Sequence, residues 1–316
     1  MIIFQHPLRV DADPSRRLTL GWAANVALSL TVVGLSVAGA PRLLVGLGLA
    51  GLIAGSLELL APLHGARRSG RAWLTDLTHA VGNRVHILPM VTVLTVVLGP
   101  TLHGLTPAAV RDAFHALPWP GRTALLLIVT DFANYWAHRS LHQCGPLWRL
   151  HRVHHSTARL DWLATARGHP LDQILNLTIV VLPAFALDAA TEGTALIMVL
   201  FIYPFVVHAD ARVRLPLVDL VFVTPPFHHW HHADHPAAHN RNLGSVLAIW
   251  DRLFGTAVDA RGFPERYGIG DDALDADSYL GHLTSPFRRT TPKQGTTTAP
   301  ADPARAASLA RAARPS

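Results

Sequence analysis

Apolar residues run along this chain in long blocks rather than in the one-sided stripes of a soluble helix. Residues 18–40 and 42–62 form two such blocks, separated by Pro41-Arg42. Each has the roughly 20 residues needed to cross a hydrocarbon core of about 30 Å. Further blocks cover 86–105 and 123–137. Two shorter ones cover 173–190 and 194–208 and are interrupted by Pro183 and Pro204, which kink or end a helix because proline lacks the backbone N–H. The pattern predicts an all-α integral membrane protein with four to six membrane helices. Ala38-Gly39-Ala40 has the small residues of a signal-cleavage site, but the block before it exceeds the usual core of roughly 7–15 residues. With a second block following at once, a transmembrane hairpin is expected over residues 1–72.

Charge orients these helices. Arg9, Arg16 and Arg17 precede the first block, and Arg67, Arg68 and Arg71 follow the second. By the positive-inside rule both ends of the hairpin face the cytoplasm, and counting spans places residues 138–172 and 210–316 there too. Arg139, Arg149, Arg152, Arg159 and Arg167 agree. A bacterial inner-membrane location with a cytoplasmic-facing site is expected. Residues 284–316, rich in Pro, Thr, Ala and Arg, read as a disordered tail ending a C-terminal extension that begins at 263.

Composition points the same way: half the residues are hydrophobic and only 15% are charged, against about 25% in soluble domains. The net charge of +6 comes from arginines spread over loop edges, not from a basic stripe with interleaved aromatics, which disfavours nucleic acid as a partner. Cys144 stands alone, so no intrachain disulfide forms, and it reads as a small buried residue in a bend. Gly46-Leu-Gly48-Leu-Ala-Gly51 fits a dinucleotide fingerprint but lies inside an apolar block without the βαβ context. Close helix packing through small residues, continuing to Gly55, is the better account.

The chemistry lies in the histidines. Thirteen of the twenty fall between His138 and His239. Eight of these form the patterns His138-x-x-x-His142, His151-x-x-His154-His155 and His228-x-x-His231-His232. Residues three and four apart share a helix face, so each cluster aims imidazoles in one direction. Neutral imidazole is the common nitrogen ligand of Zn, Fe, Cu and Ni. Eight such nitrogens are too many for one tetrahedral ion, and two ions in an all-histidine cage are expected. His169, in Arg167-Gly-His169-Pro170, and His208 are further candidate ligands. Asp131, Asp172 and Asp210 are placed to orient ligating rings as neighbouring carboxylates do; Asp131, two helical turns before His138, would accept its second N–H. His79, His229, His235, His239 and His282 are expected not to bind metal.

These strings resemble one family in particular. The order H-x-x-x-H, H-x-x-H-H, R-x-H-P and a final H-x-x-H-H, followed by Trp250-Asp251-Arg-Leu-Phe254-Gly255-Thr256, is similar to the fatty acid hydroxylase/sterol desaturase superfamily. So are Asp131-Phe-Ala-Asn134-Tyr135-Trp136, Leu147-Trp148-Arg149 and Thr224-Pro225-Pro-Phe-His228. The resemblance covers roughly residues 70–260 and implies a catalytic domain at 73–262 with a cytoplasmic-facing di-iron centre. It carries the ligand role onto His138, His142, His151, His154, His155, His228, His231 and His232, and onto His169 and His208. The three-residue gap in the first box fits the sterol desaturase branch better than the fatty acid 2-hydroxylase branch. Asn240-Arg-Asn242-Leu243-Gly244 and His208-Ala-Asp210 depart from the Asn-Tyr-Gly and His-Ala-Asn common in the family, so no single member's substrate transfers.

The implied activity is O2-dependent hydroxylation or desaturation of a lipid: a sterol, an isoprenoid or a fatty acyl chain. Two iron ions are the implied cofactors, with zinc as a substitute, and electrons are expected from a separate ferredoxin or reductase. Three readings of the histidines remain beside it. A membrane zinc hydrolase uses few histidines with a carboxylate. A metal transporter or sensor places ionisable ligands deep within its spans, and bis-histidine haem needs isolated histidines on facing helices. Metal content and haem absorbance separate all of these.

Overall fold

The computed structural model describes residues 41–64, 69–215, 217–258, 262–270, 274 and 278–288. Among these residues the structure is helical, with isolated β-bridges and no strand. Ten α-helices follow in order: α1 Pro41–Leu60, α2 Gly70–Leu105, α3 Ala108–His115, α4 Trp119–Gln143, α5 Gly145–His155, α6 Pro170–Ala186, α7 Ala190–Val207, α8 Pro225–His231, α9 Ile249–Leu253 and α10 Tyr279–Thr284. The block at 18–40 lies outside the described residues. The other five blocks fall in α1, α2, α4, α6 and α7.

Proline and short polar residues set the helix boundaries. Ser69 caps α2, its Oγ accepting from Ala72 N at 3.2 Å. Prolines sit in the first turns of α4, α5, α6 and α8, where a missing N–H leaves no bond unmade. Pro89, Pro100, Pro183 and Pro204 lie inside helices. Among the described residues no single helix is long and apolar enough to cross a membrane; Pro89–Leu105 with α3 makes a bent pair, turned by 96°, that qualifies by length and composition. The described helices therefore do not establish the expected four to six spans: α4 carries Asp131, Asn134 and Arg139 on its way to the histidines, and prolines lie inside α2, α6 and α7.

The packing brings helix ends together. Leu47, Ala50 and Ala54 of α1 pack with Trp162, Leu163 and Phe205. A Cβ on Gly46 would stand 3.1 Å from the Phe201 ring, and one on Gly51 would stand 3.0 Å from the Trp162 ring. The glycines of α1 thus permit close approach, as small-residue packing requires. Ile87 and Val91 of α2 meet Ile174 and Val181 of α6, while Phe114, Leu126, Ala189 and Leu196 join α3, α4 and α7.

The compact unit extends through Pro286. Within this unit Ala233 bridges Tyr267 and His282 is buried against His79 at 2.9 Å. Ser285–Phe287 form a 3-10 turn with Ser285 and Pro286 buried, and residues 289–316, most of the expected tail, lie outside the described residues.

Candidate metal centre

The C-terminal end of α4, the last two turns of α5, the end of α7 and all of α8 deliver nine histidines to one place. They sort into two groups: His138, His142, His151, His155 and His231 in one, His154, His208, His228 and His232 in the other. Within each group one ring nitrogen per residue lies within 4.8 Å of the rest.

Helix geometry explains the division. At about 100° per residue, positions i and i+4 differ by roughly 40° and point together, while i+3 diverges from i+4 by about 100°. His151 and His155 therefore enter the five-histidine group and His154 the four-histidine group. On α8 the roles reverse: His228 and His232 join the four-histidine group and His231 the five-histidine group. The H-x-x-H-H strings straddle both groups, and the His155 and His232 rings stack at 4.3 Å where the groups adjoin.

Hydrogen bonds to the outer nitrogens fix which way the inner ones face. His138 Nδ1 donates to the Leu243 carbonyl (2.7 Å), His154 Nδ1 to Arg167 O (3.0 Å), His208 Nδ1 to Pro204 O (2.7 Å) and His231 Nδ1 to Arg241 O (2.9 Å). A carbonyl can only accept, so each of these rings carries its proton on Nδ1 and a lone pair on Nε2. His151 Nδ1 donates to Asp172 Oδ2 at 3.0 Å. The lone pairs then oppose one another: His138 Nε2 stands 3.1 Å from His151 Nε2, and His208 Nε2 stands 3.2 Å from His154 Nε2. Two acceptors face to face repel unless a cation lies between them. His142 Nε2, His155 Nε2, His231 Nε2, His228 Nδ1 and His232 Nδ1 are buried with no hydrogen-bond partner, an arrangement native proteins rarely leave unexplained. The donor set fits metal ions.

Burial favours the neutral form of eight of these rings, among them His208. It pushes His138 down to about 3 and His154 to about 4, with neighbouring His151 acting in the same direction. Burial and adjacent imidazoles likewise lower His142, His155, His228, His231 and His232. Neutral imidazole is the ligating form. His142 and His154 are the half-buried members of their groups, and the Trp148 ring lies 5.2 Å from that of His142.

Several expected residues lie elsewhere. His169, a candidate ligand, belongs to neither group. It caps α6: its Nδ1 accepts from Leu171 N and its Nε2 donates to Leu283 O, both at 3.2 Å. With Pro170 occupying the first helical position, the ring turns back onto the helix start rather than toward the cluster. Asp131 does not reach His138; it accepts from Val246 N, Leu247 N and Trp250 Nε1, all at 2.9 Å. Asp210 pairs with His64 at 2.6 Å instead of orienting a ligand. Cys144 is exposed, not buried. Of the three candidate carboxylates, only Asp172 orients a ring of the cluster. His79, His229, His235, His239 and His282 stay outside both groups.

Asp251 was missed as a site residue, though its Trp-Asp-Arg-Leu-Phe-Gly-Thr string is conspicuous. Its carboxylate accepts from Leu243 N and Gly244 N at 2.7 Å and from Thr256 Oγ1 at 2.6 Å. This fixes the loop whose Leu243 carbonyl orients His138.

Residues 123–256 match the fatty acid hydroxylase family. The chain is 33% identical over 184 residues to an ornithine lipid hydroxylase of Rhizobium tropici, covering 56% of this chain and 55% of that protein. It is 32% identical over 149 residues to an alkylglycerol monooxygenase of Danio rerio, covering 46% of this chain and 33% of that protein. It is 28% identical over 138 residues to a lathosterol oxidase of Homo sapiens, covering 43% and 45%. The chain thus spans about half the length, or less, of these curated relatives. No solved structure matches it.

Proposed function

Because residues 123–256 place this chain in the fatty acid hydroxylase/sterol desaturase superfamily, a family of oxidoreductases, we propose that it is a membrane-bound di-iron oxygenase that hydroxylates a lipid C–H bond. The observation that carries this reading is the sorting of nine histidines into two adjoining groups with opposed lone pairs. A zinc hydrolase site would be expected to hold a carboxylate among its ligands, whereas both groups here consist of histidine.

Imidazole is a donor that suits iron, and His138, His142, His151, His155 and His231 would hold one ion while His154, His208, His228 and His232 would hold the other. Iron bound there supplies activation of O2, the chemistry an unactivated C–H bond requires. The chain's own residues orient and shelter the pair. Asp172, Leu243 O, Arg167 O, Pro204 O and Arg241 O fix the rings, and Trp148 covers His142 and His155. Electrons are supplied by a separate ferredoxin or reductase, for which the exposed Arg149 on α5 offers a cationic contact to an acidic donor.

The apolar surface fits a lipid environment. Leu125, Ile128, Val129, Phe132 and Trp136 are exposed along one face of α4, and Met90, Val93, Val96 and Val97 along α2. Such continuous stripes are uncommon on soluble monomers. They suit a chain embedded in a membrane that receives its substrate laterally, with the histidine cluster toward the cytoplasmic side.

The test is isotopic. Membranes from a host expressing the chain, supplied with an electron donor and 18O2, should yield a lipid carrying one 18O atom, absent in the His155→Ala variant. Incorporation from H2 18O instead, or a product unchanged in that variant, contradicts the reading.

A further inference from the structure

Arg167, in the segment between α5 and α6, forms with Asp76 of α2 a buried ion pair that none of the histidine boxes includes. Asp76, in the second turn of α2, accepts from Arg167 Nε at 2.6 Å, and both side chains are fully buried. Arg167 also reaches Ser156 Oγ at 3.4 Å through NH1, and its main-chain carbonyl accepts the Nδ1 proton of His154. One residue therefore links α2 and the end of α5 to a ring of the four-histidine group.

We propose that Asp76 is a positioning residue for the four-histidine group, acting through Arg167 to set the His154 ring. The inference rests on the reading of that group as a metal site. Arginine keeps its charge in proteins, and a buried guanidinium without its counterion is strongly unfavourable, so Asp76 dictates where the Arg167 side chain lies. The backbone follows. Arg167 N donates to Ala164 O at 3.1 Å, closing the 3-10 turn Trp162–Ala166. One residue on, Gly168 O accepts from Asn83 Nδ2 at 2.9 Å. Asn83 lies seven residues after Asp76, two turns along the same face of α2. The helix thus grips residue 167 by its side chain and residue 168 by its carbonyl, holding the acceptor of His154 between them.

The arrangement is selective. The outer nitrogens of the five-histidine group are fixed by Leu243 O, Asp172 and Arg241 O, none of which lies on α2. Loss of Asp76 should disturb one group and spare the other.

Stepwise Co2+ titration of the metal-free full-length protein in detergent, followed by visible absorbance, tests this. The His208→Ala variant marks which step belongs to the four-histidine group. In Asp76→Asn that step should weaken by about 10- to 100-fold, the range for lost orienting partners, with the other step unchanged. If Asp76→Asn does not fold, the double variant Asp76→Leu/Arg167→Met decides. It removes both charges, a replacement that buried ion pairs often tolerate, and it also cuts the tether, so the same step should weaken. Two steps of wild-type affinity in either folded variant, or equal weakening of both, overturns the positioning role. Wild-type protein with fewer than two steps overturns instead the two-metal reading on which the role depends.

Discussion

Asp172 Oδ2 accepts the Nδ1 proton of His151 at 3.0 Å, with both side chains almost fully buried. Burial alone would raise the Asp172 carboxyl, but the ring of His151 and the neighbouring histidines outweigh it and hold the group below its usual range. The carboxylate stays ionised and makes His151 a stronger donor toward its group. Asp172→Asn keeps the shape and removes the charge. Affinity for one of two metal ions should fall about 10- to 100-fold, read by stepwise metal titration; wild-type affinity would deny Asp172 this role.

Gly244 sits where no side chain fits. A Cβ there would lie 2.6 Å from Leu247 O and 2.9 Å from Asp251 Oδ2. Gly244→Ala should push the Asp251 clamp off the loop, destabilising the protein by about 1–3 kcal/mol, as overpacking does, and loosening the Leu243 carbonyl that orients His138. Thermal unfolding together with metal content checks both effects.

His169 and His154 separate capping from ligation. His169→Ala removes an N-cap acceptor, costing about 0.5–2 kcal/mol, yet should leave metal content unchanged because the ring belongs to neither group. His154→Ala should reduce metal content. Metal loss of equal size in the two variants would return His169 to the ligand set.

Acid should destabilise the metal-free protein. His138 and His154 titrate near 3 and 4 when folded, against 6.5 as the ordinary value. Between those values the unfolded chain binds more protons, so stability rises with pH across that window. The contribution is fully present above about pH 6.5 and is lost as pH falls toward 4 and then 3. Denaturant unfolding at pH 7.5, 6 and 5 should show falling midpoints; a higher midpoint at pH 5 would contradict the neutral, buried assignment.

The sequence made some of this legible and hid the rest for physical reasons. The three boxes were readable because i, i+3 and i+4 spacing on a helix is a local property, and His208 was readable from its place at the end of the last apolar run, beside Asp210. Spacing within α5 separates His154 from His151 and His155, but which partners each meets depends on α4, α7 and α8, which that spacing cannot supply. The orienting carbonyls of Leu243, Arg167 and Arg241 belong to the main chain and carry no residue signature. Asp131 lies two turns from His138, but α4 turns it toward residues 246–250 instead. His169 carries the R-x-H-P signature, yet the proline after it makes it a helix cap. The five apolar blocks within the described residues fall in helices, but hydropathy alone could not see where proline and buried polar residues interrupt them.

The central claim, two metal ions in two histidine groups, is tested most directly by counting iron. Full-length protein purified in detergent and reconstituted anaerobically with Fe(II) should hold two ions per chain by elemental analysis, and one ion in the His228→Ala variant. A wild-type count of one or none, or two ions retained after loss of His228, would contradict it.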